Sequence, residues 1–298
     1  MERPFILHML SPRKHVSPFD VNMALDAGFD AVVPYGNVEL GEVAGLVQDA
    51  IFSRGPKGVK RTGVFIGGKD AGLALDMLEA AKKAMFPPFQ LSVFADPAGS
   101  FTTAAAMVAC VEVKLKAAHG GGLEGRRVIV FGATGVVGYS AGVIAGGEGA
   151  EVTLIGYDGP KRVEKAAADA KRRFEVDLGF ADGSSDALKE KLVKHAEVIL
   201  SAGRAGVQVL SKAQLAKAGA LKVVADVNAV PPAGIEGLEA QDDGKEIPGT
   251  SGLGVGALAI GNVKYQVESG LFRKMIETDK PLYLDFRDAF ALAREIVG

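Results

Sequence analysis

The sequence has little cysteine and little histidine. Cys110 is the only cysteine among 298 residues, which excludes an internal disulfide and a cysteine-based metal cage. The four histidines are scattered along the chain, and we find neither an HExxH motif nor a Ser/His/Asp order typical of hydrolases. We therefore expect no metal site, and we interpret Cys110, in the apolar stretch Ala105–Val113, as a buried helical thiol.

The chain also lacks an excess of positive charge and a typical membrane-inserting segment. Its formal net charge is −2, so no basic field for nucleic acid is expected. The first residues contain too short an apolar run and too early a proline for a signal peptide. The best membrane candidate, Val128–Gly147, has six glycines and divides into a β-branched run, a turn and a helical pattern. We therefore expect a cytoplasmic protein with no membrane and no nucleic-acid partner.

Glycine, in contrast, is abundant. The 39 glycines follow no collagen-like period. In a chain of otherwise ordinary composition they indicate tight turns and places where the backbone approaches a ligand. A length of 298 residues is typical of two domains of ~150 residues each.

Two successive series of alternating strand and helix patterns are present. The first has strand-like runs at 5–10, 31–34, 63–67 and 91–94, helical stretches at 18–27, 43–51 and 71–83, and a long helix at about 101–118. The second has strands at 127–131, 151–155, 197–201 and 222–226, and helices at 135–147, 161–174, 257–276 and 286–297. Such alternation predicts α/β layers with parallel sheets.

These series predict an α/β protein of two domains joined at the glycine cluster Gly120–Gly122. An N-terminal α/β domain covers residues 1–120 and is completed by a C-terminal helix within 270–298. A Rossmann-type domain with a doubly wound parallel sheet covers residues 121–269. We expect the active-site cleft between the two domains.

A glycine-rich turn follows the buried-strand pattern Val128–Phe131. It comprises Gly132, Ala133, Thr134, Gly135, Val136, Val137 and Gly138. Glycine here lets backbone N–H groups approach a pyrophosphate at a helix N-terminus, and a later glycine lets the helix pack closely on the strand. Ala133 stands where G-x-G-x-x-G has its first glycine, so the motif alone is weak. Its position between a strand and a helix predicts a dinucleotide site.

Asp158 lies twenty residues past Gly138, at the end of the next strand pattern. A carboxylate at this point normally accepts hydrogen bonds from the adenosine ribose, and it repels a 2′-phosphate, which favours NAD. Lys161 and Arg162 follow closely and offset that repulsion, unless they only form an exposed first helical turn. We therefore expect both NAD and NADP as cofactors.

Two later strand ends belong to the same edge of the predicted sheet. Ser201, Ala202 and Gly203 stand at the end of one strand, and Asp226 and Asn228 at the end of the next. In a doubly wound sheet these segments flank the nicotinamide ribose and ring. Small residues there allow a flat ring to lie against the backbone, so we assign all five residues to the cofactor site.

With these features, the chain resembles the bacterial NAD(P)-dependent methylene-tetrahydromethanopterin dehydrogenases, and it is more distantly similar to methylene-tetrahydrofolate dehydrogenases. The resemblance extends almost from end to end. Its most specific stretches are Met9–Asn22, Ile51–Arg54, Phe65–Lys69, Asp96–Ala106, Gly132–Gly138, Ala225–Gly234 and Gly254–Lys264.

The resemblance implies oxidation of the methylene bridge of the pterin carrier to methenyl, with hydride passing to the nicotinamide, as a step of formaldehyde oxidation. It also implies a cytoplasmic homo-oligomer built on trimers. Removing hydride from a carbon between two nitrogens leaves a cation that both nitrogens stabilise by resonance. The enzyme therefore mainly positions the donor and acceptor carbons, which agrees with the lack of an acid–base motif in the sequence.

Lys264 falls at the active-site position of the family pattern. Judged by its neighbours alone, a lysine directly after the apolar helical run Ala257–Val263 is as well explained by a side chain that snorkels to solvent. The resemblance makes it the candidate catalytic residue. A full positive charge beside a forming cation opposes hydride loss. Lys264 is therefore either partly neutral or directed at polar atoms of the pterin.

The polar edge of a pterin pairs well with carboxylates and hydroxyls. The candidate substrate-binding residues are Asp20, Asp96, Ser100, Thr102 and Thr103. Each has a structural alternative: Asp20 as a helix cap, Asp96 as a turn residue before proline, and the three hydroxyl residues as caps of the long helix. Phe19 and Phe101 are candidates for stacking on the ring, although we favour core packing for both.

Three alternatives remain open. The first is a methylene-tetrahydrofolate dehydrogenase, with or without cyclohydrolase activity. The second is a shikimate-type dehydrogenase, which shares this architecture and would need an acid–base pair such as Lys14 and Asp20. The third is a non-catalytic NAD(P)-binding sensor, which would need only the segment from Gly132 to Asp158.

Overall fold

The computed structural model describes residues 3–298, and the chain divides into two compact units. Unit 1 comprises the chain up to Thr102 together with Tyr265–Leu292, and unit 2 comprises Thr103–Lys264 together with Ala293–Gly298. The division therefore falls inside helices rather than at the predicted hinge Gly120–Gly122, which lies in unit 2 directly after a helix. A glycine cluster marks where a helix ends.

The regular elements alternate along most of the chain. The strands are β1 (Ile6–Leu10), β2 (Ala31–Tyr35), β3 (Thr62–Ile66), β4 (Ser92–Ala95), β5 (Arg127–Phe131), β6 (Glu151–Gly156), β7 (Gly179–Asp182), β8 (Val198–Ser201), β9 (Val223–Asp226), β10 (Asp243–Glu246), β11 (Leu253–Val255) and β12 (Tyr283–Leu284). The helices are α1 (Pro18–Asp26), α2 (Val43–Phe52), α3 (Gly55–Gly58), α4 (Ala71–Lys83), α5 (Ser100–His119), α6 (Val136–Gly147), α7 (Lys161–Phe174), α8 (Asp186–Val193), α9 (Lys212–Leu215), α10 (Ala257–Glu277) and α11 (Phe286–Val297).

Unit 1 contains a five-stranded sheet in the order β12-β4-β3-β1-β2. All neighbouring strands are parallel. The last residue of β1, Leu10, pairs with Tyr35 of β2 on one side and with Ile66 of β3 on the other. The segments that follow these three strands therefore leave the sheet at the same edge, where α/β sheets commonly bind ligands.

The core of unit 1 is aromatic. Phe65 of β3 and Phe94 of β4 pack on Phe272 of α10, with ring centroids 5.4 and 5.2 Å from it. Phe101 is completely buried and lies edge-to-face with Phe286 at 5.2 Å, so its expected role in the core is confirmed. The same expectation was wrong for Phe19, which is 48% exposed on α1.

Unit 2 contains a seven-stranded sheet in the order β10-β11-β9-β8-β5-β6-β7. Only β10, at the edge, runs antiparallel to its neighbour. From β5 the chain proceeds through β6 to β7, and β8, β9 and β11 then extend the sheet in the other direction. The order reverses between β5 and β8, which confirms the predicted doubly wound sheet. A crevice for a ligand forms at the carboxyl ends of the strands where such an order reverses.

One helix among the described residues is long and apolar enough to cross a membrane, namely Pro97–His119. In its most apolar window, 72% of the residues are buried inside the protein, as is usual for the central helix of a folded domain. The segment Val128–Gly147 divides into β5, the glycine turn and α6, as its glycines predicted.

Cys110 lies in α5, and burial raises the pKa of its thiol to about 11.

Candidate functional site

The glycine turn joins β5 to α6 at the point where the strand order reverses. Gly132 has φ of +71°, a conformation that glycine adopts without steric cost. A Cβ atom on Gly132 would lie 2.0 Å from the carbonyl oxygen of Ala202, and one on Gly138 would lie 2.5 Å from the carbonyl oxygen of Gly132. A side chain at either position therefore forces backbone apart.

This geometry explains why the motif departs from G-x-G-x-x-G. The residue in the left-handed conformation is Gly132, one position before the place where the motif has its first glycine. Ala133 is buried, with 1% of its surface exposed, and its φ is not positive. Because Gly132 already forms the tight turn, an alanine is tolerated at the next position.

The first turn of α6 has the features of an anion site. Gly135 is the N-cap residue, and among the described residues no side chain caps this helix. An uncapped N-terminus presents backbone N–H groups and the positive end of the helix dipole. Val136 and Val137 supply the first two of these N–H groups. Together with the close approach at Gly132, these donors fit the pyrophosphate of a dinucleotide.

A cavity of about 590 Å³ opens beside the turn. It is lined by Phe131, Gly132, Thr134, Gly135, Ile155, Tyr157, Arg162, Gly183, Lys189, Ala202, Gly203, Arg204, Val207, Gln208 and Val209. Ligand pockets of roughly 300–1,000 Å³ are typical of small molecules and cofactors. Six residues predicted for the cofactor site therefore line the cavity: Gly132, Thr134, Gly135, Arg162, Ala202 and Gly203.

Four polar or charged residues of this lining were not predicted: Tyr157, Lys189, Arg204 and Gln208. Tyr157 directly follows β6, and Arg204 and Gln208 follow β8, so a position after a strand end is the sequence signal that marks these three residues. Lys189 comes from α8, where its Nζ donates to the carbonyl of Val209 at 2.9 Å. No local pattern marks that residue.

Asp158 and Arg162 form an ion pair at the end of β6. Nη1 of Arg162 donates to Oδ2 of Asp158 at 3.2 Å and to the hydroxyl of Tyr157 at 3.0 Å. The hydrogen bond to Asp158, followed by the one to Tyr157, raises the pKa of Arg162. Lys161 is exposed and does not line the cavity. Of the two predicted cations, Arg162 is therefore the one placed beside Asp158.

The segments that follow β8 and β9 are hydrogen-bonded to each other through Asn228. Its Oδ1 accepts from the backbone N–H of Gly206 at 3.2 Å and of Val230 at 2.9 Å. Asp226 is 2% exposed, burial raises its pKa, and its carboxylate accepts from the N–H of Asn228 and Ile235 at 3.2 and 3.1 Å. The backbone contacts of Asp226 and Asn228 favour a role in holding the conformation of the loops. The complete burial of Ser201 favours the same role for that residue.

A second cavity, of about 280 Å³, lies in unit 1 at the carboxyl ends of β1 and β3. Asp20 lines it and is 3% exposed. The N-cap of α1 is Ser17, whose hydroxyl accepts from the backbone N–H of Asp20 at 3.4 Å. The structure therefore assigns the capping role to Ser17, and Asp20 remains a candidate for substrate binding.

The other acidic candidate, Asp96, is held inside the protein. It is completely buried, and its carboxylate accepts from the backbone N–H of Phe101 at 2.7 Å and from the hydroxyl of Thr102 at 2.6 Å. These bonds cap the start of α5, which favours the structural alternative for Asp96 and Thr102. Ser100 and Thr103 are partly exposed, and their contact with substrate stays a prediction.

Lys264 lies in the first half of α10 and is half-buried. Four residues further along the same helix, Glu268 is completely buried. A buried carboxylate is costly unless it is hydrogen-bonded or paired, so Glu268 is a further ionisable group of this helix that was not among the predicted site residues. A single acidic residue between Val267 and Ser269 in a helical pattern was the available signal.

The reversed strand order, the glycine turn and the adjoining cavity define a dinucleotide-binding α/β protein with the architecture of two-unit dehydrogenases. A solved structure of this kind, shikimate 5-dehydrogenase from Listeria monocytogenes in complex with shikimate and NAD, superposes with a TM-score of 0.50. The match covers 99% of this chain and 96% of that chain at 14% identity. At this identity the likeness concerns the fold alone.

Sequence relatives define the family. The family model described as "Methylene-tetrahydromethanopterin dehydrogenase, N-terminal" matches residues 18–98. The NAD(P)-dependent methylenetetrahydromethanopterin dehydrogenase of Methylorubrum extorquens is 55% identical over 98% of this chain and 99% of its own length. The "Bifunctional protein MdtA" of the same organism is 38% identical over 94% of both chains. This chain belongs to the methylene-tetrahydromethanopterin dehydrogenase family.

Proposed function

We propose that this protein oxidises methylene-tetrahydromethanopterin to methenyl-tetrahydromethanopterin and transfers the hydride to NAD⁺ or NADP⁺. The observation that carries the proposal is the 55% identity over 98% of the chain to a relative named for this activity. The glycine turn and its cavity support the cofactor half of the proposal independently, because their fit to a dinucleotide rests on geometry.

The dinucleotide is held by residues of unit 2. Backbone N–H groups of the Gly132–Gly138 segment bind the pyrophosphate, and Asp158 binds the adenosine ribose. Ala202 and Gly203, which line the cavity, would hold the nicotinamide end, because their small size admits a flat ring. When bound, the nicotinamide ring accepts the hydride.

The same site accommodates both cofactors because Arg162 is a movable partner of Asp158. In NAD the carboxylate meets the ribose hydroxyls. In NADP the guanidinium, which reaches Asp158 at 3.2 Å, offsets the carboxylate and offers donors to the 2′-phosphate. The side chains of Arg162 and Asp158 are 51% and 40% exposed, so both have room to reorient.

The residues that contact the substrate need to position it rather than transfer protons. The product is a cation stabilised by its two flanking nitrogens, so the step requires no general base. Asp20 accepts hydrogen bonds from the amide-and-guanidine edge of the pterin. Lys264 contacts polar atoms of the pterin away from the reacting carbon, since a positive charge beside the forming cation would raise the barrier.

The proposal extends to the setting in which the enzyme works. We place the reaction in formaldehyde oxidation in the cytoplasm, and we expect a homo-oligomer built on trimers. The family resemblance is the only support for these three points. Size-exclusion chromatography with light scattering tests the subunit count: a mass three or six times that of the 30.9 kDa chain is expected, and a monomer contradicts the expectation.

One assay separates the proposed activity from its alternatives. Purified protein is mixed with NAD⁺ or NADP⁺ and methylene-tetrahydromethanopterin, methylene-tetrahydrofolate or shikimate, and the absorbance of reduced nicotinamide is followed. Turnover with the methanopterin derivative is expected. Turnover only with the folate derivative or with shikimate assigns the protein to that alternative, and no turnover with any of the three favours a non-catalytic sensor.

A further inference from the structure

The cavity of unit 1 carries an excess of positive charge. Arg13 and Lys14, from the segment after β1, and Lys69, from the segment after β3, line it together with the buried carboxylate of Asp20. Three cations facing one carboxylate leave two formal positive charges in excess. This ratio contrasts with the whole chain, in which acidic residues outnumber basic ones by 36 to 34.

These three cations are not neutralised by neighbouring side chains. In the part of the chain that the structure describes, Arg13, Lys14 and Lys69 form no ion pair. All three are exposed. At two other cavities one cation each is paired, namely Arg162 with Asp158 at 3.2 Å and Lys114 with Asp243 at 2.8 Å. Unpaired cations that converge on one cavity attract an anion.

The backbone that bears Arg13 and Lys14 is tethered to the end of β2. The N–H of Ser11 donates to the carbonyl of Tyr35 at 2.9 Å, and the N–H of Asn37 donates to the carbonyl of Arg13 at 2.8 Å. A Cβ atom on Gly36 would lie 2.3 Å from the carbonyl oxygen of Lys14. This close approach fixes the segment, so the two cations are presented on an organised frame.

We infer that Arg13, Lys14 and Lys69 bind an anionic group of the pterin carrier, a phosphate or a carboxylate, and thereby select carriers that bear such a group. The inference rests on the proposed function, because it assumes that the carrier binds in unit 1. It assigns the three cations to binding and not to the hydride step. Cations next to a carbon that is becoming positive oppose the reaction, so they serve best at a distance from it.

This role has a specific kinetic signature. Contacts that are equally strong in the ground state and the transition state lower KM for the carrier without changing kcat. Charge-assisted contacts also weaken as ionic strength rises. A merely structural role for the three residues would instead alter stability, and a role in the hydride step would alter kcat.

The test compares the wild-type enzyme with the triple variant Arg13→Gln, Lys14→Gln, Lys69→Gln. We expect KM for methylene-tetrahydromethanopterin to rise by at least about tenfold, as is reasonable for three charge-assisted contacts, while kcat and KM for NAD⁺ change by less than about twofold. Raising the salt concentration from 50 to 500 mM should increase KM of the wild type and leave that of the variant nearly constant.

Two control variants make the result specific. Lys57→Gln, Arg273→Gln, Lys274→Gln removes the same charge from exposed positions of unit 1 that do not line this cavity, and KM should stay near the wild-type value. Arg13→Lys, Lys14→Arg, Lys69→Arg retains the charges and should restore most of the affinity. An equal rise of KM in both neutralised triples, or no rise in the first, overturns the inference.

Direct binding separates this inference from the proposed activity. Isothermal titration calorimetry with methylene-tetrahydromethanopterin, without dinucleotide, measures carrier affinity in the absence of turnover. Weaker binding to the cavity triple supports the inference even if the wild type transfers no hydride, in which case only the proposed function fails. Competition by inorganic phosphate that is lost in the cavity triple supports recognition of a phosphate, and competition by glutarate supports a carboxylate. Equal carrier binding by the wild type and the cavity triple contradicts the inference.

Discussion

The cavity beside the glycine turn of unit 2 and the cavity of unit 1 that Asp20 lines differ in how charge is placed around them. In unit 2 the turn beside α6 is built from backbone atoms and glycines, and Arg162 at the adjoining cavity is paired with Asp158. In unit 1 the cavity is surrounded by side chains, and its three cations form no ion pair among the described residues. The first arrangement suits a pyrophosphate whose shape is constant. The second suits an anion reached by long, adaptable side chains.

The largest effect is expected when a side chain is added at Gly132, where two backbone segments of unit 2 are in close contact. Gly132→Ala places a Cβ atom 2.0 Å from the carbonyl oxygen of Ala202 at a positive φ, and should cost at least about 3 kcal/mol of unfolding free energy. Gly135→Ala is the matched control, because its Cβ would meet its nearest neighbour at 3.3 Å. Urea unfolding measures both, and equal losses would show that the close approach at Gly132 is unimportant.

The next effect tests whether the side chain of Lys264, which lies outside the glycine turn, is needed for turnover. Lys264→Ala should lower kcat by about 100-fold, the loss typical of a group that contacts the reacting substrate, while the Kd for NAD⁺ stays nearly constant. Lys274→Ala, on the exposed side of the same helix, should leave both constants unchanged. Steady-state kinetics and calorimetry provide the measurements, and an unaltered kcat in Lys264→Ala removes that residue from the site.

A smaller effect is expected at the pair of Asp158 and Arg162 beside the cofactor cavity. Arg162→Gln removes the guanidinium that lies 3.2 Å from Asp158, so the carboxylate repels a 2′-phosphate without compensation. The ratio of kcat/KM for NAD⁺ over NADP⁺ should increase by about tenfold. Lys165→Gln, one turn into the same helix and exposed, should leave the ratio as it is. A ratio that falls in Arg162→Gln would show that Arg162 does not serve NADP.

The smallest effect concerns the internal ion pairs of unit 2 in acid. Burial alone would raise the pKa of Glu112, but hydrogen bonds from Arg294, at 2.7 Å to each carboxylate oxygen, and from Lys116 lower it. A carboxyl whose folded-state pKa is depressed stabilises the protein above its unfolded-state pKa, and this stability is lost as the pH falls through the folded-state value.

The wild type should therefore lose on the order of 1 kcal/mol of unfolding free energy through this group between pH 6 and the acid range below its usual pKa of 4.5. Glu112→Gln has no carboxyl to protonate there and should lose correspondingly less over the same interval. Urea titrations at a series of pH values give the comparison. Identical pH profiles for the two proteins would mean that the Arg294 contact contributes no net stability.

Elements with a clear hydrophobic pattern could be predicted from the sequence, and exposed elements could not. Most strands and helices of both sheets agree with the hydrophobic patterns to within one or two residues, and α4, β5, α7 and α11 have the predicted bounds. The short strands β7 and β10 were missed because they lie at the edges of their sheet and are largely exposed, which leaves no apolar pattern to detect.

The site residues divide in the same way. The glycine turn was predictable because its strand, turn and helix are contiguous in sequence. The cation cluster of unit 1 was not, because Lys69 reaches the same cavity as Arg13 and Lys14 only through the pairing of β1 with β3. Strand order is set by tertiary packing and is not written in a local pattern. Asp96 and Thr102 are hydrogen-bonded to each other at the start of α5, a local contact that a motif does not distinguish from ligand binding.

The central claim, direct hydride transfer from the carrier to the cofactor of unit 2, can be tested with an isotopic label. Methylene-tetrahydromethanopterin carrying deuterium on the methylene carbon is incubated with the enzyme and NAD⁺, and the reduced cofactor is analysed by mass spectrometry and NMR. We predict one deuterium at nicotinamide C4 for each methenyl product formed. Reduced cofactor without deuterium, or no reduced cofactor at all, would contradict the assignment.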